Sequence, residues 1–275
     1  MNPMEILLWI GIPLLLIGYL IDFKKHILRF TGFSVLGIFW VGEAPYFLEI
    51  NDYVNAGLCL LALPLFLYFS YNEFLSLKWK EDPEVMKFLA GSISIAMLIY
   101  FGIQRIPILA GGLIQVVAHL TTGTSNLIGY NFTTGSVNYV GNPLYYRVNN
   151  DHIFVPIRGS GINLILACTA LQTLAPAGSL IYCTLAPVKP KMKSLLLVLP
   201  TIFFANVGRN VLVIYLYNEG ITSFDMAHNQ IAKTGSVILL IILLMIVFEM
   251  MPEFHDNIMS VLDLPKREPI HRKQH

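Results

Sequence analysis

Apolar residues along this chain come in long runs, not at the 3.6-residue spacing of a surface helix or the alternation of a half-buried strand. A helix that crosses a bilayer needs about 20 mainly apolar residues. Stretches of about this kind run Met4–Ile21, Thr31–Ile50, Tyr53–Tyr71, Phe88–Leu109, Ile162–Pro187, Ser194–Tyr217 and Ile231–Met251. They predict about seven transmembrane helices in one transmembrane domain over residues 1–275. The segment Ile106–Leu120 is also apolar but contains Gly111, Gly112 and His119. It extends the fourth helix or lies along the outer surface. The expected fold class is an all-α polytopic membrane protein with no internal repeat.

Composition agrees with that pattern. Of the residues, 55% are apolar and 13% charged, against about 25% charged in soluble domains. Net charge is +1, which argues against a nucleic-acid partner. The first apolar run lacks a basic region before it and a small-residue cleavage site after it, so it is expected to remain as a helix.

The connections set an orientation, because Lys and Arg concentrate on the cytoplasmic side. Lys24, Lys25 and Arg29 fall in the first connection, Lys78, Lys80 and Lys87 in the third, and Lys189, Lys191 and Lys193 in the fifth. Lys266, Arg267, Arg272 and Lys273 fall in the tail. The alternate connections hold Glu49 and Asp52, or Glu219 and Asp225. The N-terminus is therefore expected outside and the C-terminus inside.

The fourth connection, residues 121–161, is then extracytoplasmic and is the one long loop. Strand-like pieces Tyr145–Val148 and His152–Ile157 flank Asn149, Asn150 and Asp151, which predicts a small β-hairpin lid. Loops of this length are more often functional than idle. Asn131-Phe132-Thr133 fits a glycosylation sequon, which requires an external site. Residues 253–275 form a cytoplasmic amphipathic helix and tail, with Phe254, Ile258, Val261 and Leu262 on the apolar side.

Three residue types break the rules of lipid. Arg209 lies in FFANVGRNVLVIYLY, roughly eight residues from the helix end, or about 12 Å. A charge there costs at least about 2.5 kcal/mol to insert and faces a partner or a watery cavity. Asn206 and Asn210 share its helix face and extend a polar stripe. The structural alternative is an arginine that only ties helices together through carbonyls. Cys168 lies in GINLILACTALQT beside Thr169, Gln172 and Thr173, whereas Cys59 and Cys183 have the surroundings of inert buried thiols. A thiol beside a fixed cation becomes a thiolate, the nucleophilic form. His228, in MAHNQIAK at the outer start of the last span, has the chemistry of an acid or base. His119 and His152 compete for that role. Lys233 is expected to snorkel and Arg158 to sit on the lid. Topology places Cys168, Arg209 and His228 in the outer leaflet zone. Cys168 and Cys183 would lie about 22 Å apart on a helix, too far for a disulfide.

ACTALQT, then NVGRN, then AHNQIAKTG opening the last helix, together resemble the archaeosortase/exosortase family, mainly over 162–251. The resemblance implies a membrane cysteine transpeptidase at the outer face. Its cargo would be secreted proteins with a C-terminal sorting signal: a Pro-Gly-Phe type motif, a transmembrane helix and a basic tail. The enzyme would remove the tail and promote attachment to a membrane lipid, with archaeal surface-layer glycoproteins as typical cargo. Cys168, Arg209 and His228 take the catalytic roles, and Gln172, Asn206, Asn210 and Arg158 supporting or substrate-binding ones. The third catalytic position varies in the family between His and Arg, and His228 fits it. No cofactor is expected, and no residue spacing suggests a metal. The competing readings are a transporter with Arg209 as an anion site, a lipid-modifying acyltransferase, and a non-catalytic scaffold.

Overall fold

The computed structural model describes residues 3–139, 148–155 and 160–269. Five helices come first: α1 Pro3–Leu20, α2 Lys25–Glu49, α3 Tyr53–Trp79, α4 Glu84–Arg105 and α5 Pro107–Leu127. Strands β1 Thr134–Tyr139, β2 Val148–Val155 and β3 Ser160–Asn163 follow. After a 3-10 turn at Leu166–Cys168 come α6 Leu171–Cys183 and α7 Val188–Asn218. A π-helical turn Met226–Ile231 leads into α8 Ala232–Met250, and α9 Pro252–Asp263 comes last, followed by a 3-10 turn at Leu264–Lys266.

Local chemistry places several of these boundaries. The Asp52 carboxylate caps α3 by accepting from the Asn55 N–H at 3.1 Å. Lys80 ends that helix in a left-handed conformation, φ 57°. Pro107 opens α5, where its missing N–H costs nothing.

By length and composition, α2, α3, α4, α5, α7 and the continuous helix Met226–Met250 can each cross a bilayer, and Met4–Leu20 is a shorter apolar helix. The chain is a multi-pass membrane protein. Three expectations change. Ile106–Leu120 belongs to a helix of its own, because Pro107 breaks α4 and restarts the ladder. The expected span Ile162–Pro187 is helical only from Leu171, since Ile162 and Asn163 pair with β2. The hairpin turn expected at Asn149–Asp151 lies inside a strand. Antiparallel pairing of β2 with β1 on one side and β3 on the other overrides the local turn preference.

The chain divides into two compact units. The first holds residues 1–98, 182–185 and 253–275. Its apolar centre includes Ile12, Leu15, Phe33 and Leu36, all fully buried. Phe33 packs on Phe69 with ring centroids 5.5 Å apart. Within this unit Arg29, 1% exposed, is surrounded by acceptors. It donates to the Gly18 carbonyl at 2.8 Å, to Asp82 at 2.8 Å and to Glu73 at 3.4 Å. Glu73 also contacts His26 Nδ1 at 2.8 Å, and Lys25 reaches Asp82 at 2.6 Å. Gly18 is required for this contact: a Cβ there would lie 2.8 Å from Arg29 Cγ. Arg29 is thus not a loop cation, because α2 begins at Lys25 and carries it into the interior. Glu73 escapes the sequence reading because α3 continues eight residues past Tyr71, to Trp79. Arg267, placed in the tail, bonds the Asn72 carbonyl at 3.1 Å, Ser76 Oγ at 3.0 Å and Glu81 at 3.3 Å.

The second unit holds residues 99–181 and 186–252. Ala110, Ile114, Val117 and Ala118 of α5 pack with Phe132, Leu164, Leu166, Leu171 and Ile214. The ends of α5 and α7 meet where the Tyr130 hydroxyl donates to Glu219 at 2.6 Å. That bond pushes the Tyr130 hydroxyl up to about 12. Tyr130 stacks on Phe132 at 4.9 Å.

Replacing Arg29 by Ala leaves Glu73 buried without its cation, a change that typically costs about 3–5 kcal/mol. The expected result is a much lower thermal midpoint in detergent. At Asp82, burial raises the carboxyl, but hydrogen bonds from Lys25 and Arg29 outweigh it and hold the group below its ordinary 3.8. A depressed carboxylate contributes stability that is complete above the ordinary value and lost as pH falls through the depressed one. Asp82→Asn should therefore lower the midpoint at pH 7, and its gap from the parent should narrow as pH falls below about 4.

Candidate active site

The segment around Cys168 departs from helix just where the sequence turns polar. Cys168 N–H donates to the Ile165 carbonyl at 2.8 Å, closing a 3-10 turn. Thr169, fully buried, sends its hydroxyl to the Leu166 carbonyl at 2.7 Å. Ala170 then adopts φ 64°, a left-handed conformation that a side chain disfavours. The Ala170 carbonyl accepts from Thr173 and Leu174 and so starts α6. The thiol thus sits on a tight turn ahead of a helix, not within one as expected.

The Cys168 carbonyl points to α7. Asn206 Nδ2 donates to it at 2.6 Å and Asn210 Nδ2 at 3.1 Å. Both asparagines are buried. Arg209 lies on the same face of α7, three residues beyond Asn206. Cys168 and His228 each lie within electrostatic range of Arg209. Its Nε is buried and has no hydrogen-bond partner. Among the described residues no carboxylate pairs with it, in contrast to Arg29.

His228 comes to this region through the π-helical turn. Ala227, fully buried, packs with Ala232 against Val213, one turn beyond Arg209. The His228 ring stacks on Phe224, with centroids 5.5 Å apart and planes within 9°. Phe224 in turn meets Tyr217 edge-on. Asp225 accepts from Asn229 across this turn.

The remaining candidates sort by position. Gln172 is exposed and donates to the Tyr100 hydroxyl at 3.2 Å, so its amide is engaged with α4. His119 lies on α5 and contacts Thr134 Oγ1 at 3.4 Å. His152 belongs to β2, and Arg158 lies outside the described residues. Lys233 is exposed on α8. Cys59 and Cys183 are buried, whereas Cys168 is only half-buried. Among the described residues no group of three or more His, Cys, Asp or Glu could hold a metal.

Sequence reasoning did not anticipate the left-handed Ala170 or the engagement of both amides with one carbonyl. The one available signal was the 206/209/210 spacing, which puts all three on one face.

A left-handed non-glycine residue costs about 1–2 kcal/mol, of which glycine returns roughly 1 after its greater unfolded-chain entropy. Ala170→Gly should raise the thermal midpoint, and Ala170→Val should lower it, in unfolding followed by intrinsic fluorescence.

The chain matches no protein-family model and no solved structure. It is 21% identical over 215 residues to archaeosortase A of Natronomonas pharaonis. The match covers 76% of this chain and 65% of that protein, so the chain spans somewhat less than two thirds of its relative's length. This similarity supports the resemblance to the archaeosortase/exosortase family.

Proposed function

We propose that the chain is a membrane cysteine transpeptidase of the archaeosortase type, with Cys168 as nucleophile. One observation carries the reading: a half-buried thiol is tied by its own carbonyl to the helical face that bears an unpaired arginine. A guanidinium without a carboxylate keeps its full charge for a thiolate or an oxyanion.

In this reading the Cys168 thiol passes its proton to His228 as Sγ attacks the scissile carbonyl carbon. The carbonyl oxygen takes the developing negative charge, and the free Arg209 Nε–H donates to it. His228 protonates the leaving amine as the C–N bond breaks, which leaves a thioester on Cys168. The neutral imidazole then accepts a proton from the incoming nucleophile as the C–S bond breaks. Asn206 and Asn210 support the turn. Gln172, bonded to Tyr100, and Arg158 are assigned to substrate contact.

The substrates in this reading are secreted proteins with a C-terminal sorting signal, and the acceptor is a membrane lipid. The site faces outward, with the N-terminus outside and the tail of residues 253–275 cytoplasmic. Strands β1, β2 and β3 follow α5, and β3 leads directly into the Cys168 turn, as part of a lid would.

Replacing Cys168 by Ala or Ser should abolish removal of a sorting tail from a co-expressed substrate, read as a mass shift on gels. Replacing Arg209 by Lys should slow it by about 100-fold or more, the usual worth of an oxyanion donor. Normal processing by the Cys168 variants would overturn the assignment.

A further inference from the structure

Asn206 and Asn210 have side chains suited to binding substrate peptide groups, yet both amides are spent on the Cys168 carbonyl. That carbonyl needs them. The chain leaves the 3-10 turn at Cys168, and Ala170 turns left-handed two residues on. In apolar surroundings a peptide oxygen without a partner costs several kcal/mol. Two amide donors at 2.6 and 3.1 Å satisfy both lone pairs.

The geometric consequence concerns the thiol. Asn206, Asn210 and Arg209 lie at i, i+4 and i+3 on α7, so they project from little more than one helical turn. Anchoring the Cys168 main chain at 206 and 210 holds the turn against the α7 face that carries 209, while the side chain also packs on the apolar cluster of α5. We propose that Asn206 and Asn210 form an amide clamp whose role is to set the Cys168 thiol in register with Arg209. They are positioning residues, not substrate ligands. The inference rests on the reading of Cys168 as nucleophile and adds the element that determines its reactivity.

The clamp also explains how the strained turn persists. Left-handed Ala170, the Thr169 hydroxyl bond and the 3-10 bond of Cys168 are local and individually weak. The two amides come from 38 and 42 residues away in sequence. They hold the turn from outside, which is how a strained conformation survives.

The test is the alkylation rate of Cys168 by N-ethylmaleimide in membranes from expressing cells, mapped by peptide mass across pH 6–9. Cys59 and Cys183 in the same molecule serve as internal reporters of the fold. The parent should modify Cys168 rapidly at pH 7 and leave the other two protected. Asn206→Ala with Asn210→Ala should slow Cys168 about tenfold at pH 7 and move its pH profile upward, with Cys59 and Cys183 still protected. Asn206→Asp with Asn210→Asp keeps the volume but removes the donors, and should do the same. In an Arg209→Met background, removal of the clamp should have no further effect, because the thiol then has no cation to meet. Parent-like alkylation in both pairs of variants would overturn the clamp and leave the nucleophile assignment standing. Exposure of Cys59 and Cys183 in both pairs would show the amides to be fold elements, and would also overturn it. A parent Cys168 no faster than Cys59 would overturn the underlying reading itself.

Discussion

Everything near Cys168 depends on one demand: a peptide carbonyl that leaves helical geometry in apolar surroundings must find donors elsewhere. Asn206 and Asn210 supply them from α7, at 2.6 and 3.1 Å. The demand is strict because the group lies against two buried amides, where an unmet hydrogen bond costs more than it would in water. Meeting it joins the 3-10 turn to α7 at one level, and that level also carries Arg209. The packing of Ala227 and Ala232 on Val213 then brings the start of α8 within one turn of the same place. Local geometry and long-range contact therefore converge on one face of one helix.

Arg29 is buried and Arg209 only partly so, and the groups around them differ in kind. Arg29 has a backbone carbonyl and two carboxylates around it, and a glycine whose missing side chain admits it. Its charge is neutralised locally, and its role is to join α1 and the start of α2 to the end of α3 and the loop after it. Arg209 is flanked by neutral amides and keeps an unpaired buried Nε. A cation arranged in that way is still available to an anion that forms during a reaction.

Three features of the sequence specified much of this. Long apolar runs determined a multi-pass helical protein, since their length suits a helix, which satisfies its own hydrogen bonds within each segment. An arginine far from any helix end marked α7, because its insertion cost demands a reason. The spacing of Asn206, Arg209 and Asn210 set them on one face through the helical period alone. Each of these is a local property, readable within one turn or one span.

Only the tertiary structure decided the rest. The Asn149–Asp151 segment has turn chemistry but lies in a strand, because partners on both sides outweigh its local preference. Ile162–Pro187 reads as one continuous span, yet its first part is sheet and a tight turn, since the Cys168 carbonyl finds its donors on α7 instead of on its own helix. Arg29 reads as a loop cation and is instead interior, because its acceptors lie 11, 44 and 53 residues away. Hydrophobic period and insertion cost are properties of the neighbouring residues in the chain. The choice of hydrogen-bond partner across dozens of residues depends on which elements pack together, and that is set only in the folded chain.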